Sequence, residues 1–548
     1  MEENEQIGAG RGRRRQSMKL VIALLLVLLL LAITPPLLNV GRYQRRIVAS
    51  MSESLGRPVH LDSVSLHLLP MPGFTLENFV VSEDPAFGNE PTIRANEVVA
   101  TLRVSSLWKR RVEFSEVKFE NPSVNLVRRS DGRWNLESVL LHASHVDTAP
   151  TAQQKAGEAP RFPYIEATGG RINLKIGNEK KPFSLTDADF ALWLPSPQVW
   201  RVRLEGKPMR TDSNIGDPGT MRLEGSLQRA EHMQDVPVDL QASWHDAPLG
   251  EASKLISGND RDWRGTLHAD ASLDGPLGSA ALKLKVTLDE LRRADFVPAN
   301  SLDESFSCES TADLPAVRLT DLTCNVPVNG AQPLAITSPA VDLSQPKAAA
   351  ATVQAQSLPL DWIFGWLRLF SQRIPSDAHV QGTVAANLTH PDATPIHDWN
   401  GTVSLTIPVP PRRANGQILP AKTTATPTQT FEATLNSTDD AWTAELQPAT
   451  IDLGPGADLT LTGEASPGHY SFTLGGNASA AQLASITYAL PQLADDTGLI
   501  ATKGTSAADT IRPVALTCER PIAGGQVCST PAPPAPKRPA RRPARRRR

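Results

Sequence analysis

The first pattern along this chain is an uninterrupted apolar run near its amino terminus. Residues Leu20 to Ile33 are all Leu, Val, Ile or Ala, and the apolar stretch continues past two prolines to Val40. Its length of about 21 residues is enough to cross a hydrocarbon core of roughly 30 Å. The run has no polar face, which argues against a helix buried in a soluble protein. We therefore predict a transmembrane anchor over residues 18–40.

A cleaved signal peptide is the alternative interpretation, since a basic segment precedes the run as it does in secretory signals. No A-x-A-like cleavage site follows, so we expect the segment to stay attached. Five Lys or Arg residues precede the run and three follow it closely. This bias favours a cytoplasmic amino terminus. Residues 1–17 then form a basic cytoplasmic tail, and almost all of the chain lies on the far side of the membrane.

Helical spacing continues for a short distance after the anchor. Five apolar residues recur every three or four positions: Val40, Tyr43, Ile47, Met51 and Leu55. Gly56 follows them as a natural helix stop. This pattern predicts a short amphipathic helix that leads away from the membrane.

From about residue 60 the apolar residues follow a period of two, which is the pattern of a β-strand with one buried face. The alternating groups are, in order, Val64, Leu66 and Leu68; Phe74 and Leu76; Val98, Ala100, Leu102 and Val104; Val112 and Phe114; Val117 and Phe119; Val124 and Leu126. The phase breaks at Ser115-Glu116, and Ser130-Asp131-Gly132 predicts a hairpin turn. We expect a run of antiparallel strands here.

Strand patterns resume at Tyr164, with glycines that recur in similar contexts. Leu-x-Gly occurs at 223–225 and 273–275, and Gly-Thr-Val at 382–384 and 401–403. The repeats are too loose for a familiar fixed-period solenoid, but they suggest one supersecondary unit used many times.

Three short helices are expected to interrupt the strands. The clearest covers residues 361–373, whose aromatic stripe we expect to pack in the core. The others cover residues 250–257 and 480–490.

Composition agrees with a β-rich body. The apolar content is 40%, the charged content is 21%, and 46 prolines favour many turns. Residues 143–161 are dominated by Ala, Thr, Gln, Pro and Lys, which predicts a flexible linker. Residues 501–548 lose the strand pattern and end in Pro, Ala and Arg, which predicts a disordered tail. The expected fold class is mainly β, with an N-terminal transmembrane helix, an elongated antiparallel sheet and a few short helices.

Charge is concentrated at the carboxyl terminus. The last twelve residues contain eight Lys or Arg and no acid, and without them the net charge of −3 would become −11. The body is therefore acidic and the tail basic. A basic tail binds nucleic acid in some proteins and anionic lipid in others, and in many it is simply solvated.

The four cysteines form two pairs that are close in sequence, Cys308 with Cys324 and Cys518 with Cys528. Such pairs are typical of disulfides in an oxidising compartment. A zinc site is the weaker alternative, because no C-x-x-C motif or histidine cluster accompanies them. Free thiols are the third interpretation.

Motifs for catalysis or cofactor binding are missing from the sequence. It contains no H-E-x-x-H, no phosphate-binding P-loop and no G-x-S-x-G. Carboxylates are plentiful, but no pair of them stands out. We therefore predict that the protein is not an enzyme and has no cofactor and no metal.

Several short motifs in the first 140 residues resemble the AsmA family in order and spacing, directly after the predicted anchor. They are Leu55-Gly56-Arg57-Pro58-Val59, the segment 68–79, Asp84-Pro85-Ala86-Phe87-Gly88, Glu97-Val98-Val99-Ala100, Asn121-Pro122-Ser123-Val124 and Gly132-Arg133-Trp134-Asn135-Leu136. The stretch 169–190 and Trp263-Arg264-Gly265-Thr266 also look family-like. From about residue 330 onward the resemblance rests mainly on the strand pattern.

The resemblance implies a bacterial inner-membrane protein with a large periplasmic part. AsmA-like proteins are similar at their N-terminal region to the chorein end of bridge-like lipid transfer proteins, whose long sheet curls into a groove with an apolar inner face. Members are linked to phospholipid movement toward the outer membrane and to outer-membrane assembly. The family carries no catalytic residues or cofactors. In the periplasm we expect no nucleic-acid partner for the basic tail.

With this resemblance the chain divides into further regions. They are an AsmA-like N-terminal β region at 41–142, the linker at 143–161, a β-rich groove region at 162–350, a β region with short amphipathic helices at 351–500, and the tail. The candidate residues that line a lipid groove are Val64, Leu66, Leu68, Phe74, Leu76, Val112, Phe114, Val117 and Phe119.

Two functions remain open at this point. The first is lipid binding or transfer, with the inner membrane and a phospholipid or other acyl lipid as partners. The second is a non-catalytic envelope scaffold or assembly factor for outer-membrane proteins, with its sheet faces packed as ordinary sandwiches. Its partners would be outer-membrane or other envelope proteins.

Overall fold

The computed structural model of the chain divides into two compact units, unit 1 at Met1–Leu322 and unit 2 at Thr323–Arg548. Each unit is mainly β, with few helices. The structure describes residues 19, 21–27, 41–69, 71–103, 114–129, 131–136, 163–177, 179–196, 198–296, 302–370, 380–392, 398–409, 428–438, 441–479, 482–483, 510–521 and 527–529.

The predicted anchor is described only in part. Residues 21–27 are helical, and large apolar side chains such as Leu24 are more than half exposed. Residues 18, 20 and 28–40 of the anchor lie outside the described residues. Among the residues that are described, no helix has both the length and the apolar character needed to span a membrane.

The amphipathic helix after the anchor is confirmed as α1, Gly41–Leu55. Gly56 follows it with a φ of +62°, a left-handed conformation that glycine adopts at little cost. The Gln44 side chain donates hydrogen bonds to the carbonyl oxygens of Leu61 and Asp62 at 3.2 and 3.3 Å. The helix therefore lies against the first strands of the sheet.

Unit 1 contains fourteen of the described strands, and nearly all of them pair with their sequence neighbours. They are β1 Val59–His60, β2 Ser63–His67, β3 Gly73–Val81, β4 Ile93–Leu102, β5 Phe114–Glu120, β6 Ser123–Arg128, β7 Tyr164–Ile176, β8 Glu179–Ser196, β9 Val199–Arg210, β10 Thr220–Gln228, β11 Pro237–Pro248, β12 Trp263–Pro276, β13 Ala280–Arg293 and β14 Leu302–Asp313. From β7 to β14 each strand pairs antiparallel with the next.

Strand β15, Arg318–Val326, spans the boundary between the units, and the later strands lie in unit 2. They are β16 Leu334–Asp342, β17 Ala351–Pro359, β18 Thr383–His390, β19 Asn400–Pro408, β20 Thr428–Thr438, β21 Ala441–Ile451, β22 Asp458–Ser466, β23 His469–Ala478, β24 Arg512–Pro521 and β25 Val527–Ser529. From β16 onward each strand pairs antiparallel with the next.

The sheet is mostly antiparallel, as expected, and departs from that pairing at one place in unit 1. Strands β5 and β6 follow one another as a single strand broken at Asn121-Pro122, with β4 on one side and β7 on the other. Both pair with β7 in parallel. A parallel pair needs a long crossover connection, which the segment 129–163 between β6 and β7 supplies.

The phase break at Ser115-Glu116 is confirmed as a β-bulge. Thr101 of β4 lies opposite Glu116, while the next residue, Leu102, lies opposite Phe114. Ser115 is the extra residue, and its hydroxyl donates to the Thr101 carbonyl at 3.2 Å. Because the bulge adds one residue to β5, Phe114 lies on the same apolar face as Val117 and Phe119.

Two of the three predicted helices are confirmed. Helix α2 covers Leu249–Ser257 between β11 and β12, and α3 covers Leu360–Phe370 between β17 and β18. Residues 482–483, the described part of the third, are helical and follow β23. In chain order, helical segments thus follow β11, β17 and β23, at intervals of six strands.

The aromatic stripe of α3 is buried only in part. Trp362 and Ile363 pack against a core of Val328, Ala355 and Leu358. Leu367 and Phe370, one to two turns later, are 43% and 68% exposed. Trp366 is of intermediate burial, and Leu369 in the last turn is buried. The core expectation is therefore correct for part of α3 and wrong for Leu367 and Phe370.

The expectation of disorder over residues 501–548 is wrong where β24 and β25 form. Val514 and Leu516 of β24 lie opposite Gly476 and Leu474 of β23. They pack against the buried cluster of Leu453, Leu459 and Leu474. Burial against β23 outweighs the weak local pattern. The linker at 143–161 and the rest of the tail lie outside the described residues.

A buried polar cluster ties the family-like motifs of unit 1 together. Arg57 pairs with Glu83, and their side chains are 4% and 1% exposed. A second guanidinium nitrogen of Arg57 donates to the Asn135 carbonyl oxygen at 2.9 Å. The Asn135 amide donates to Glu83 at 2.5 Å and to the Asn125 carbonyl oxygen at 2.8 Å, and its oxygen accepts from the Val127 amide at 2.9 Å. The cluster links the end of α1 to β6.

We predict that Glu83→Gln destabilises unit 1 by about 3–5 kcal/mol, because it leaves the buried Arg57 guanidinium without a counter-charge. Chemical denaturation of the full chain measures the loss. Glu77→Gln is the matched control, since the Glu77 carboxylate is exposed and accepts from Ser63 at 2.7 Å. That variant should lose less than about 1 kcal/mol. Equal effects of the two substitutions would contradict a structural role for the cluster.

Recurrent glycines allow close backbone approaches within the strands. Gly225 and Gly401 have φ values of +153° and +155°. A Cβ atom added at either one would collide with a carbonyl oxygen, that of Asp239 or of Asn387. The recurring Leu-x-Gly and Gly-Thr-Val motifs therefore reflect backbone geometry.

We predict that Gly401→Ala destabilises unit 2 by about 1–3 kcal/mol, the cost of holding a residue in a sparsely populated backbone region. Differential scanning calorimetry of the full chain measures this. Gly475→Ala is the control, because nothing lies within 4 Å of its added Cβ. A neutral Gly401→Ala would show that the sheet relaxes there without cost.

Candidate functional site

Directly paired residues of a sheet point to the same face, so the strand register shows which side chains share a surface. In unit 1, one apolar residue from each of twelve strands falls into a single line across the sheet. We call this line the first row. It consists of Val64, Leu76, Val98, Phe119, Ala167, Phe190, Leu204, Leu223, Ala242, Ala271, Leu284 and Cys308.

A second row runs beside the first, two residues along each strand and on the same face. It consists of Leu66, Phe74, Ala100, Val117, Ile165, Leu192, Val202, Gly225, Leu240, Leu273, Leu282 and Ser310. Neither row contains a charged residue. The two rows form a continuous apolar surface from β2 to β14, with one hydroxyl at its end.

The opposite face of the same strands is polar. Between β9 and β14 the intervening positions form two lines of polar and charged residues. They are Arg203, Glu224, Gln241, Ser272, Lys283 and Glu309, and Glu205, Arg222, Ser243, Asp270, Lys285 and Ser307. Cross-strand ion pairs join Arg222 with Glu205 at 3.2 Å and Arg203 with Glu224 at 3.9 Å.

The two faces differ in exposure. The charged side chains of Arg203, Glu224, Arg222 and Glu205 are between 46% and 67% exposed. The apolar rows between β9 and β14 are mostly of intermediate burial, and Leu223 and Ala242 are typical. Within the described part of the chain these side chains are thus sheltered, but no element covers them completely. An apolar face in this state can still bury a ligand.

A depression of about 830 Å³ lies on the polar face. It is lined by both polar lines and by the first-row residues of β9 to β14 that lie between them in sequence. No residue of the second row lines it. It is therefore the trough between two lines of long charged side chains. The depression is separate from the apolar surface.

The structure places most of the predicted lining residues on the apolar surface. Val64, Leu76 and Phe119 belong to the first row, and Leu66, Phe74 and Val117 to the second. Phe114 stacks edge-on against Phe74, with ring centres 6.4 Å apart. Leu68 follows β2 and is partly buried, and Val112 lies outside the described residues.

The start of the apolar surface is covered by α1. Leu76 and Val98 are 2% and 0% exposed, and Met51 and Leu55 of α1 pack against their cluster. Leu76 is therefore a core residue in this structure. The uncovered part of the surface begins further along the sheet. There the alternation along a single strand does not reveal which residues of neighbouring strands align, so the sequence did not predict them.

Helix α2 lies at the ends of β9, β11 and β12, with Leu249, Ala252 and Leu255 buried. Arg210 donates to the last carbonyl oxygens of α2, Leu255 and Ile256, both at 3.2 Å. A hydrogen bond from Arg210 lowers the pKa of Asp212. The ends of these strands are therefore covered by α2, and Arg210 caps the carboxyl end of that helix.

Asp260, beyond α2, has a lowered pKa because the Arg264 guanidinium and the Asp262 amide outweigh partial burial, which acts to raise it. No group of three or more His, Cys, Asp or Glu in the described ranges is placed to hold a metal ion. The titratable groups at this edge are thus surface ion pairs.

Unit 2 repeats the two-faced organisation. One apolar row consists of Ile336, Val353, Leu388, Gly401, Leu435, Ala444, Ala465 and Tyr470, and another of Ala355, Ala386, Val403, Ala433, Leu446, Gly463 and Phe472. The intervening line is polar, and consists of Gln354, Asn387, Thr402, Thr434, Glu445, Glu464 and Ser471.

The cysteines occupy strand positions. Cys308 and Cys324 are both disulfide-bonded. Cys518 of β24 lies directly opposite Cys528 of β25 in the strand register. Cys308 also ends the first apolar row.

Comparison with known proteins identifies the N-terminal part of the chain. The sequence model of the AsmA family matches residues 13–178. This span contains the buried Arg57–Glu83–Asn135 cluster and the start of both apolar rows. No curated protein and no solved structure matches the chain.

Proposed function

We propose, from the premise that residues 13–178 belong to the AsmA family, that this protein binds and transfers acyl lipid in the bacterial cell envelope. Family membership is consistent with an envelope-associated function. In the finer proposal, residues 18–40 anchor the chain in the inner membrane and the two units lie in the periplasm. The ligand is a phospholipid or another acyl lipid, and the role is not enzymatic.

The continuous apolar surface of unit 1 is the observation that carries this proposal. A sheet face of this kind normally has a helix layer or a second sheet over it. Between β9 and β14 the described residues supply α2 at one end of the strands and the short turn Met233–Asp235 near the other, where Met233 packs against the cluster that contains Leu273. Acyl chains are suitable occupants, because burial contributes about 0.8 kcal/mol per methylene. Ten buried methylenes would contribute about 8 kcal/mol.

A long-range contact supports a curled sheet with this surface inside. Arg128 at the end of β6 donates to the carbonyl oxygens of Pro315 and Ala316 in the turn after β14. Eight strand spacings separate β6 from β14, which is roughly 38 Å in a flat sheet. An arginine side chain cannot span that distance. The greater exposure of the charged face supports the apolar rows as the inner side.

The scaffold alternative requires the apolar rows to be packed dry against protein. The partial exposure of Leu223 and Ala242 favours a ligand over that arrangement. Cross-linking to outer-membrane proteins without any bound lipid would favour the scaffold. Phospholipid bound along the rows would favour transfer.

We predict that the full chain, purified in mild detergent, carries phospholipid that mass spectrometry detects. Ala242→Asp should reduce the bound lipid at least severalfold, because it places a carboxylate in the middle of the first row. Gln241→Asp is the matched control, one residue away on the exposed polar face. It should leave lipid binding unchanged.

Circular dichroism of both variants checks that the sheet is retained. Lipid transfer is measured between labelled and unlabelled vesicles and should follow the same order. A wild-type chain that carries no lipid and acquires none from vesicles would overturn the proposal. Equal losses in Ala242→Asp and Gln241→Asp would show that binding does not use the apolar face.

A further inference from the structure

The contact between Arg128 and the turn after β14 joins residues far apart in the chain. One guanidinium nitrogen, Nη2, donates to Ala316 O at 3.0 Å and to Pro315 O at 3.3 Å. The partners are 187 and 188 positions from Arg128 along the sequence. A contact of this kind exists only when the intervening strands of unit 1 are curled together.

The turn itself is held in an unfavourable conformation. Val317 has a φ of +57°, and it is the only β-branched residue with a left-handed backbone among those that the structure describes. β-Branched side chains are strongly disfavoured there. Short-range hydrogen bonds hold the turn, from the Val317 amide to Leu314 O at 3.1 Å and from the Ala316 amide to Asp313 Oδ1 at 3.0 Å.

The arginine side of the contact is also incompletely satisfied. The Nε atom of Arg128 is buried and has no acceptor within the described ranges. A buried donor without a partner is costly. Strain on one side and a missing acceptor on the other leave the closed contact easier to release than a fully satisfied one.

We propose that Arg128 and the 314–317 turn form a releasable latch that closes the sheet of unit 1 and limits access of lipid to the apolar rows. When the latch is closed, β6 and the turn after β14 are held together. When it opens, the turn is no longer tied to β6 and the strands between them can uncurl. The gating part rests on the proposed lipid-binding function, whereas the closing contact does not.

Hydrogen exchange and lipid uptake test the two parts separately, on the full chain in detergent. Arg128→Ala should speed amide exchange at Ala316 and Val317 by roughly tenfold, since it removes charge-assisted hydrogen bonds. Val317→Gly should slow that exchange below the wild-type rate, because glycine tolerates the left-handed conformation. Arg222→Ala, on the exposed polar face, is the matched control and should change nothing in the turn.

Lipid uptake is followed from vesicles of phosphatidylethanolamine and phosphatidylglycerol that contain a trace of fluorescent phosphatidylethanolamine. Arg128→Ala should take up the label faster than wild type, and Val317→Gly more slowly. Amides of β12 and β13 should keep their protection in every variant, which shows that the strands remain folded. Arg128→Lys, which keeps the charge on a shorter side chain without the planar guanidinium, should give intermediate values if Arg128→Ala unfolds.

Unchanged exchange in the turn of both Arg128 variants would overturn the latch. Faster exchange with unchanged uptake would overturn the gating part and leave the closing contact. If no variant and no wild-type protein takes up lipid, the proposed function fails together with the gating. The response of the turn to Arg128→Ala would still decide whether the closing contact holds.

Discussion

The cross-strand register is the constraint on which the rest of this structure depends. A slip of one residue between two strands would turn every apolar side chain beyond that point to the polar face. The first row of unit 1 passes through twelve strands without one charged residue, so the register holds at every step. Bulges such as the one at Ser115 keep neighbouring strands in phase where the spacing changes.

The buried Arg57–Glu83–Asn135 cluster adds a second, more local constraint. Taking these groups from water is costly, and the cost is offset only when each has its partners. Arg57 follows α1, Glu83 follows β3 and Asn135 follows β6, so the cluster forms only when all three segments are in place. It thereby fixes where α1 lies on the first strands. Motifs that look unrelated in sequence are in this way parts of one contact.

Alternation along single strands made the fold class and the lining residues near β2 to β5 predictable. The helix α1, the bulge at Ser115 and helices α2 and α3 followed from the same local signals. The parallel pairing with β7 could not be predicted, because it depends on a crossover whose sequence has no strand pattern. The row beyond β5, such as Leu204 with Leu223, also needs the register between strands. Strand β24 was missed because its stability comes from β23 and not from its own residues.

The six-strand interval between the helical segments has a consequence for how such a chain can change in length. Six is an even number, so after a block of six antiparallel strands the chain is back at the end of the strands where the block began. The next strand then runs in the same direction as the first strand of the block. Its removal or duplication would keep every later strand pointing the same way and every apolar residue on its original face. A block of odd size would reverse the strands that follow. Such a chain could therefore become shorter or longer by loss or duplication of whole blocks, without redesign of the strands on either side.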